Sequence, residues 1–266
     1  HNSAKRKTWL SRTVQPAAIA LILSGCGEYV YNELDLMPSP TVYTEGDLDP
    51  FNSRGPKQIQ PHTQLFYATD REMAGINDKQ EFYTNKRGIA LRTGTVSIEM
   101  TPPAQDWESL RRITLSGERE TPRTLQVSEV HEIGPMPFSS SDENGAPLPN
   151  HVTRRAESIF SQAINRQLDL SGNSDVFIYV HGYNVDFEYP TLVSKELQHF
   201  LGYQGAFISY NWPATPNRFA YFRDLETASA TRRNLRKLVE LLSDKTDARR
   251  IHLIGYSAGS RLVFEV

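Results

Sequence analysis

The sequence predicts an α/β fold, a mostly parallel sheet flanked by helices. Residues 176–180 form a continuous apolar run, and 206–210 and 251–254 are short, mostly apolar runs, the pattern of strands buried on both faces. Between them lie two stretches with apolar residues at helical spacing, and strands alternating with amphipathic helices return in parallel through right-handed crossovers. Each run ends in a distinctive turn: His181-Gly182-Tyr183-Asn184, Asn211-Trp212-Pro213, and Gly255-Tyr256-Ser257-Ala258-Gly259. Parallel sheets form their sites at these carboxyl ends.

Composition narrows the function. The 266 residues are 38% hydrophobic and 23% charged, with a net charge of −2, enough for one sizeable core. No basic stripe stands out, so a nucleic-acid partner is not expected. The single cysteine, Cys26, excludes an internal disulfide framework and a multi-cysteine metal site. No H-x-x-H or H-E-x-x-H spacing occurs among the seven histidines, so neither a metal nor another cofactor is expected. The chain starts at His1 rather than Met and ends at Val266 inside a helical pattern without a stop signal. It reads as part of a longer product, cut after the serine turn.

Three regions follow in order. Residues 1–25 combine Lys5-Arg6-Lys7, the apolar run 17–23 and small residues, the layout of a secretory signal too short to span a bilayer permanently. Residues 26–63 lack a hydrophobic period and carry Pro38, Pro40, Pro50, Pro56 and Pro61. They read as a flexible tether, the alternative being an ordered arm packed through Tyr29, Tyr31 and Tyr43. Residues 64–266 form the folded domain. Its first strands are expected at 64–68, 95–100 and 125–133, with Thr69-Asp70-Arg71 and Arg87-Gly88 in loops between them. Asp70 and Arg71 could line a site, but a turn with a surface ion pair is the favoured reading. Asn150 is expected to cap a helix running to Leu168. Pro190 opens a second helix after the 176–180 strand, and a third runs from about Asp224, read as its cap, to Ser243.

The serine turn carries the chemistry. In a G-x-S-x-G strand-to-helix turn the residues two before and two after the serine approach too closely to hold a Cβ, and the hydroxyl projects beyond the sheet. Ser257 is therefore the expected nucleophile. Leu23-Ser24-Gly25-Cys26 resembles the lipobox of bacterial lipoproteins. That resemblance implies cleavage before Cys26, its acylation, a membrane partner reached through lipidated Cys26, and a place in the bacterial envelope. With Gly27 next, outer-membrane sorting is implied.

Phe66-Tyr67-Ala68-Thr69-Asp70-Arg71, His181-Gly182-Tyr183-Asn184, Trp212-Pro213 and the 255–259 turn together resemble a bacterial branch of α/β-hydrolases, uncharacterised serine hydrolases. The resemblance implies a small-molecule or lipid acyl substrate and a triad in the chain order Ser, Asp or Glu, His. Its acid and base are expected beyond residue 266. It also implies an oxyanion hole from the backbone N–H groups of Ala258 and Tyr183, with His181 in the oxyanion loop and not the base. His181, Gly182, Asn184 and Trp212 are expected to line the site, although Tyr183, Asn184, Tyr210 and Trp212 could equally be packing at strand ends. His252 should project from a sheet face. The competing function is a catalytically inactive hydrolase-fold protein that binds partners at the envelope.

Overall fold

The computed structural model describes residues 33–46, 48–51, 65–117, 119, 121–139, 146–215 and 221–266. The signal segment and Cys26 lie outside these residues. Seven strands form one sheet in the order β1-β4-β3-β2-β6-β5-β7. In chain order these are β1 (Glu33–Asp35), β2 (Leu65–Met73), β3 (Tyr83–Thr101), β4 (Thr124–Pro135), β5 (Asp175–Val180), β6 (Ala206–Asn211) and β7 (Arg250–Gly255). The helices are α1 (Thr41–Thr44), α2 (Trp107–Leu115), α3 (Asn150–Ser171), α4 (Glu188–Phe200), α5 (Tyr221–Lys245) and α6 (Ala258–Phe264).

The α/β expectation holds, with the three apolar runs as β5, β6 and β7. Parallel pairing is confined to β2-β6-β5-β7, while β1, β4, β3 and β2 pair antiparallel. The chain steps from β5 outward to β6, then crosses back past β5 to β7. This reversal of direction opens a crevice between the carboxyl ends of β5 and β7. The main core lies on the face covered by α3, α5 and α6, where Phe66, Ile178, Val180, Ile208, Leu235 and Leu262 pack. On the other face Tyr179, Phe207 and Leu65 meet Val193 and Leu197 of α4.

Several expectations are corrected. Asp70, Arg71, Arg87 and Gly88 are not in loops, because β2 and β3 run on as a long antiparallel pair that contains them. Asp70 and Arg71 are fully buried rather than a surface ion pair. Side chains alternate along β2, so Asp70 faces α5 and Arg71 the opposite side. Pro149, not Asn150, holds the cap position of α3, and no side chain bonds there; Asp224 falls inside α5 rather than at its start. Helix α2 was not foreseen, although Asp106 and Ser109 form a reciprocal capping box at its start.

The tether expected over 26–63 is, in its described residues, a packed arm. Strand β1 pairs with β4, and Leu36 and Phe51 are buried. The Tyr43 hydroxyl donates to the Phe200 carbonyl, and the Met37 N–H to Glu196. Phe51 meets the Trp107 ring edge-on at 4.9 Å. Spaced apolar residues, each with a fixed receptor on the domain, give enough buried area to order a segment whose own composition shows no period. Beneath the arm, α4 buries Lys195, Glu196 and His199.

Candidate functional site

Ser257 stands between β7 and α6 at φ 52°, ψ −120°, a backbone region that L-residues rarely occupy. The turn requires its glycines. A Cβ on Gly255 would come within 2.6 Å of Ser260 Cα, and one on Gly259 within 2.2 Å of the Val180 oxygen and 2.4 Å of the His181 oxygen. Their absence lets α6 start directly against the end of β5. The Tyr256 N–H donates to the Val180 carbonyl (2.9 Å), and the Ser260 hydroxyl to the Gly255 carbonyl (2.9 Å). Ser257 is exposed, and its side chain caps nothing in α6.

The loop 181–187, leaving β5, faces this serine. A Cβ on Gly182 would sit 3.1 Å from Ser257 Cβ, so glycine allows the loop to come this close. Tyr183 and Asn184 follow, each partly buried, with Asn184 in the left-handed region at φ 65°, which asparagine tolerates better than most residues. Ala258, the first residue of α6, is 7% exposed, and a helix leaves its first N–H groups without intrahelical partners.

His181 is buried beneath the loop. Its Nδ1 lies 2.6 Å from the Gly182 carbonyl, a contact that needs the proton on Nδ1. Burial, then the positive charge of Arg71, pushes the imidazole down to about 3, so the ring is neutral. It stacks on Trp212 with ring centres 5.0 Å apart and planes 4° apart. The Trp212 indole N–H donates to the His181 carbonyl at 2.7 Å. Trp212 is 0% exposed. It therefore supports the loop from below and does not line an open site, a correction to its expected place.

The far end of the loop is gripped by buried side chains. Arg71 donates from one terminal nitrogen to the carbonyls of Val185 (3.1 Å) and Asp186 (3.0 Å). The next carbonyl, of Phe187, accepts from the Asn211 amide at 3.2 Å. Asp186 accepts the Tyr189 N–H at 3.0 Å and so starts α4. Glu188 is buried in the first turn; burial, then the charge of Asp186, pushes its carboxyl up to about 7. On the opposite sheet face Asp70 accepts from Thr231 and Asn234 of α5, and burial raises its carboxyl. Asp70 and Arg71, weighed as site-lining but read as a surface turn, and Asp186 and Glu188, not singled out at all, are buried around the loop and the strand beside it. The available signal was charge at the carboxyl end of a strand next to the parallel set.

The remaining described histidines stand elsewhere. His252 does project from a sheet face, stacked on Phe177 and 3.6 Å from Asp175. Asp175 opens β5, so this pair sits at the end of the sheet opposite Ser257. His199 lies under the arm between Thr114 and Tyr203, His131 is beside Glu129, and His151 is exposed at the start of α3. Among the described residues, no group of three or more His, Cys, Asp or Glu could hold a metal ion, and no helix is long and apolar enough to cross a membrane.

No curated protein and no solved structure matches the chain. Residues 156–266, from within α3 to the end of α6, match the family model described as alpha/beta hydrolase of unknown function (DUF900). That match and the parallel half of the sheet, with its helices on both faces, agree: the chain carries an alpha/beta hydrolase-like fold.

Proposed function

We propose that the chain supplies the nucleophile and oxyanion site of a serine hydrolase acting on a small-molecule or lipid ester, thioester or amide. The observation that carries this reading is the backbone of Ser257: an exposed, non-glycine residue at φ 52° between two glycines that close packing requires. A fold does not retain such a residue for stability.

Ser257 Oγ attacks the acyl carbon while its proton passes to a histidine base. The carbonyl π pair moves onto oxygen, which accepts N–H bonds from Ala258 and Tyr183. The bond to the leaving group then breaks, the base returns the proton to that group, and acyl-Ser257 remains. Water repeats the sequence to release the acid. Loss of one oxyanion donor costs about 2.7–4 kcal/mol of transition-state stabilisation. His181 does not serve as the base in this scheme, because it is buried beneath the loop and burial holds its basicity down to about 3; it shapes the loop. The reading needs a histidine base and an orienting acid, which the chain order Ser, Asp or Glu, His puts after the serine. The Leu23–Cys26 tetrad supports acylation of Cys26 and attachment to the bacterial envelope, at its outer membrane.

The test is labelling of the whole gene product with a fluorophosphonate, in which the Ser257 Oγ–P bond forms as fluoride leaves. Wild type should label and Ser257→Ala should not. Equal labelling of both removes Ser257 as nucleophile. An unlabelled wild type supports the inactive, partner-binding protein.

A further inference from the structure

We propose that Arg71 is a positioning residue for the loop that faces Ser257, setting where the Tyr183 N–H stands. The inference rests on the hydrolase reading for its catalytic consequence, but not for its structural one.

Loop 181–187 has no regular structure of its own, yet an oxyanion donor must be held to within a fraction of an ångström. The near end is held by β5 and Trp212: the Val180 carbonyl takes the Tyr256 N–H, and the His181 carbonyl takes the indole N–H. Arg71 holds the far end, at Val185 and Asp186. Its other terminal nitrogen reaches back to the Thr84 carbonyl (3.3 Å) and to Asn85 Oδ1 (2.7 Å) on β3. One planar guanidinium thereby fixes the loop to the long β2–β3 pair.

The choice of residue is informative. Arg71 is 0% exposed, and burying a cation is costly where a hydrophobic side chain of the same volume would pack at no such cost. On the loop Arg71 holds the main-chain oxygens of Val185 and Asp186, which fix backbone position whatever side chains the loop carries. A lysine ammonium gathers its three donors on one nitrogen and cannot bridge two sides in a fixed plane. The carbonyl dipoles of Thr84, Val185 and Asp186 and the side-chain oxygen of Asn85, all aimed at the guanidinium, keep the charge tolerable.

The experiment compares wild type, Arg71→Lys and Arg71→Met in the whole gene product, with two readouts. Amide hydrogen exchange over 182–187 should accelerate by at least about tenfold in both variants once two charge-assisted hydrogen bonds are lost. Fluorophosphonate kinetics should show kinact falling roughly 10- to 100-fold, with KI within about threefold, because misplacement spares binding and impairs bond formation. Ethylguanidinium should restore part of kinact in Arg71→Ala, which a general loss of stability would not allow. Should the Arg71 variants fail to fold, Asn85→Ala removes the anchor of the guanidinium and should give the same pattern at smaller amplitude. Unchanged loop exchange in folded variants overturns the proposal, and so does a loss confined to KI. Faster loop exchange in a protein whose wild type never labels sustains the clamp and removes the hydrolase reading instead.

Discussion

Replacing Ser257 by glycine should stabilise the fold, and replacing it by alanine should not. At φ 52°, ψ −120° any residue with a Cβ bears strain of about 1–3 kcal/mol, and alanine retains that Cβ. Glycine relieves the strain but gives back about 0.4–1 kcal/mol through its greater freedom in the unfolded chain. The glycine variant should therefore exceed the alanine variant by roughly 1–2 kcal/mol, the reverse of the usual order in regular structure. Ser257 is exposed, so little packing is lost in either case, and both variants lack the hydroxyl. Urea unfolding followed by tryptophan fluorescence reads the difference; at about 2–4 °C per kcal/mol for a domain of this size, melting should separate by several degrees. An alanine variant as stable as the glycine variant, with equal m-values, refutes a strained elbow.

Three further outcomes are expected. Glu188 has its folded carboxyl raised to about 7, burial first and Asp186 second, so its contribution is full below the unfolded value and fades as pH rises toward 7; Glu188→Gln should gain about 2 kcal/mol over wild type between pH 4.5 and 6.5, measured as urea midpoints, and parallel profiles would exclude the effect. Neutral buried His181 and His199, both pushed down to about 3 chiefly by burial, act in the opposite sense and lose stability as pH falls below about 6.5. For the anchor, Cys26→Ala should move the protein from the membrane to the soluble fraction of fractionated cells, and unchanged partitioning would exclude acylation there.

The parallel half of the sheet was legible because its signals are local. Val176–Val180 is apolar without interruption, Ala206–Tyr210 and Ile251–Ile254 are broken only by Ser209 and His252, and Gly255 reports a steric demand made within five residues. The antiparallel half was not. The first part of β3, Tyr83-Thr84-Asn85-Lys86-Arg87-Gly88, is polar and partly exposed, and it is a strand because β2 pairs with it. Likewise nothing near Arg71 announces burial: its partners lie at Thr84, Asn85, Val185 and Asp186, up to 115 residues away. Trp212 shows the converse failure. Its place at a strand end was read correctly, but only the stacked His181 ring reveals that it faces inward.

Helix α4 begins where the loop beside Ser257 ends, and its last residue, Phe200, accepts the hydrogen bond from Tyr43 of the arm. A helix of 13 residues is a stiff rod of about 20 Å. The N-terminal arm and the loop beside Ser257, far apart in sequence, therefore abut opposite ends of one stiff helix.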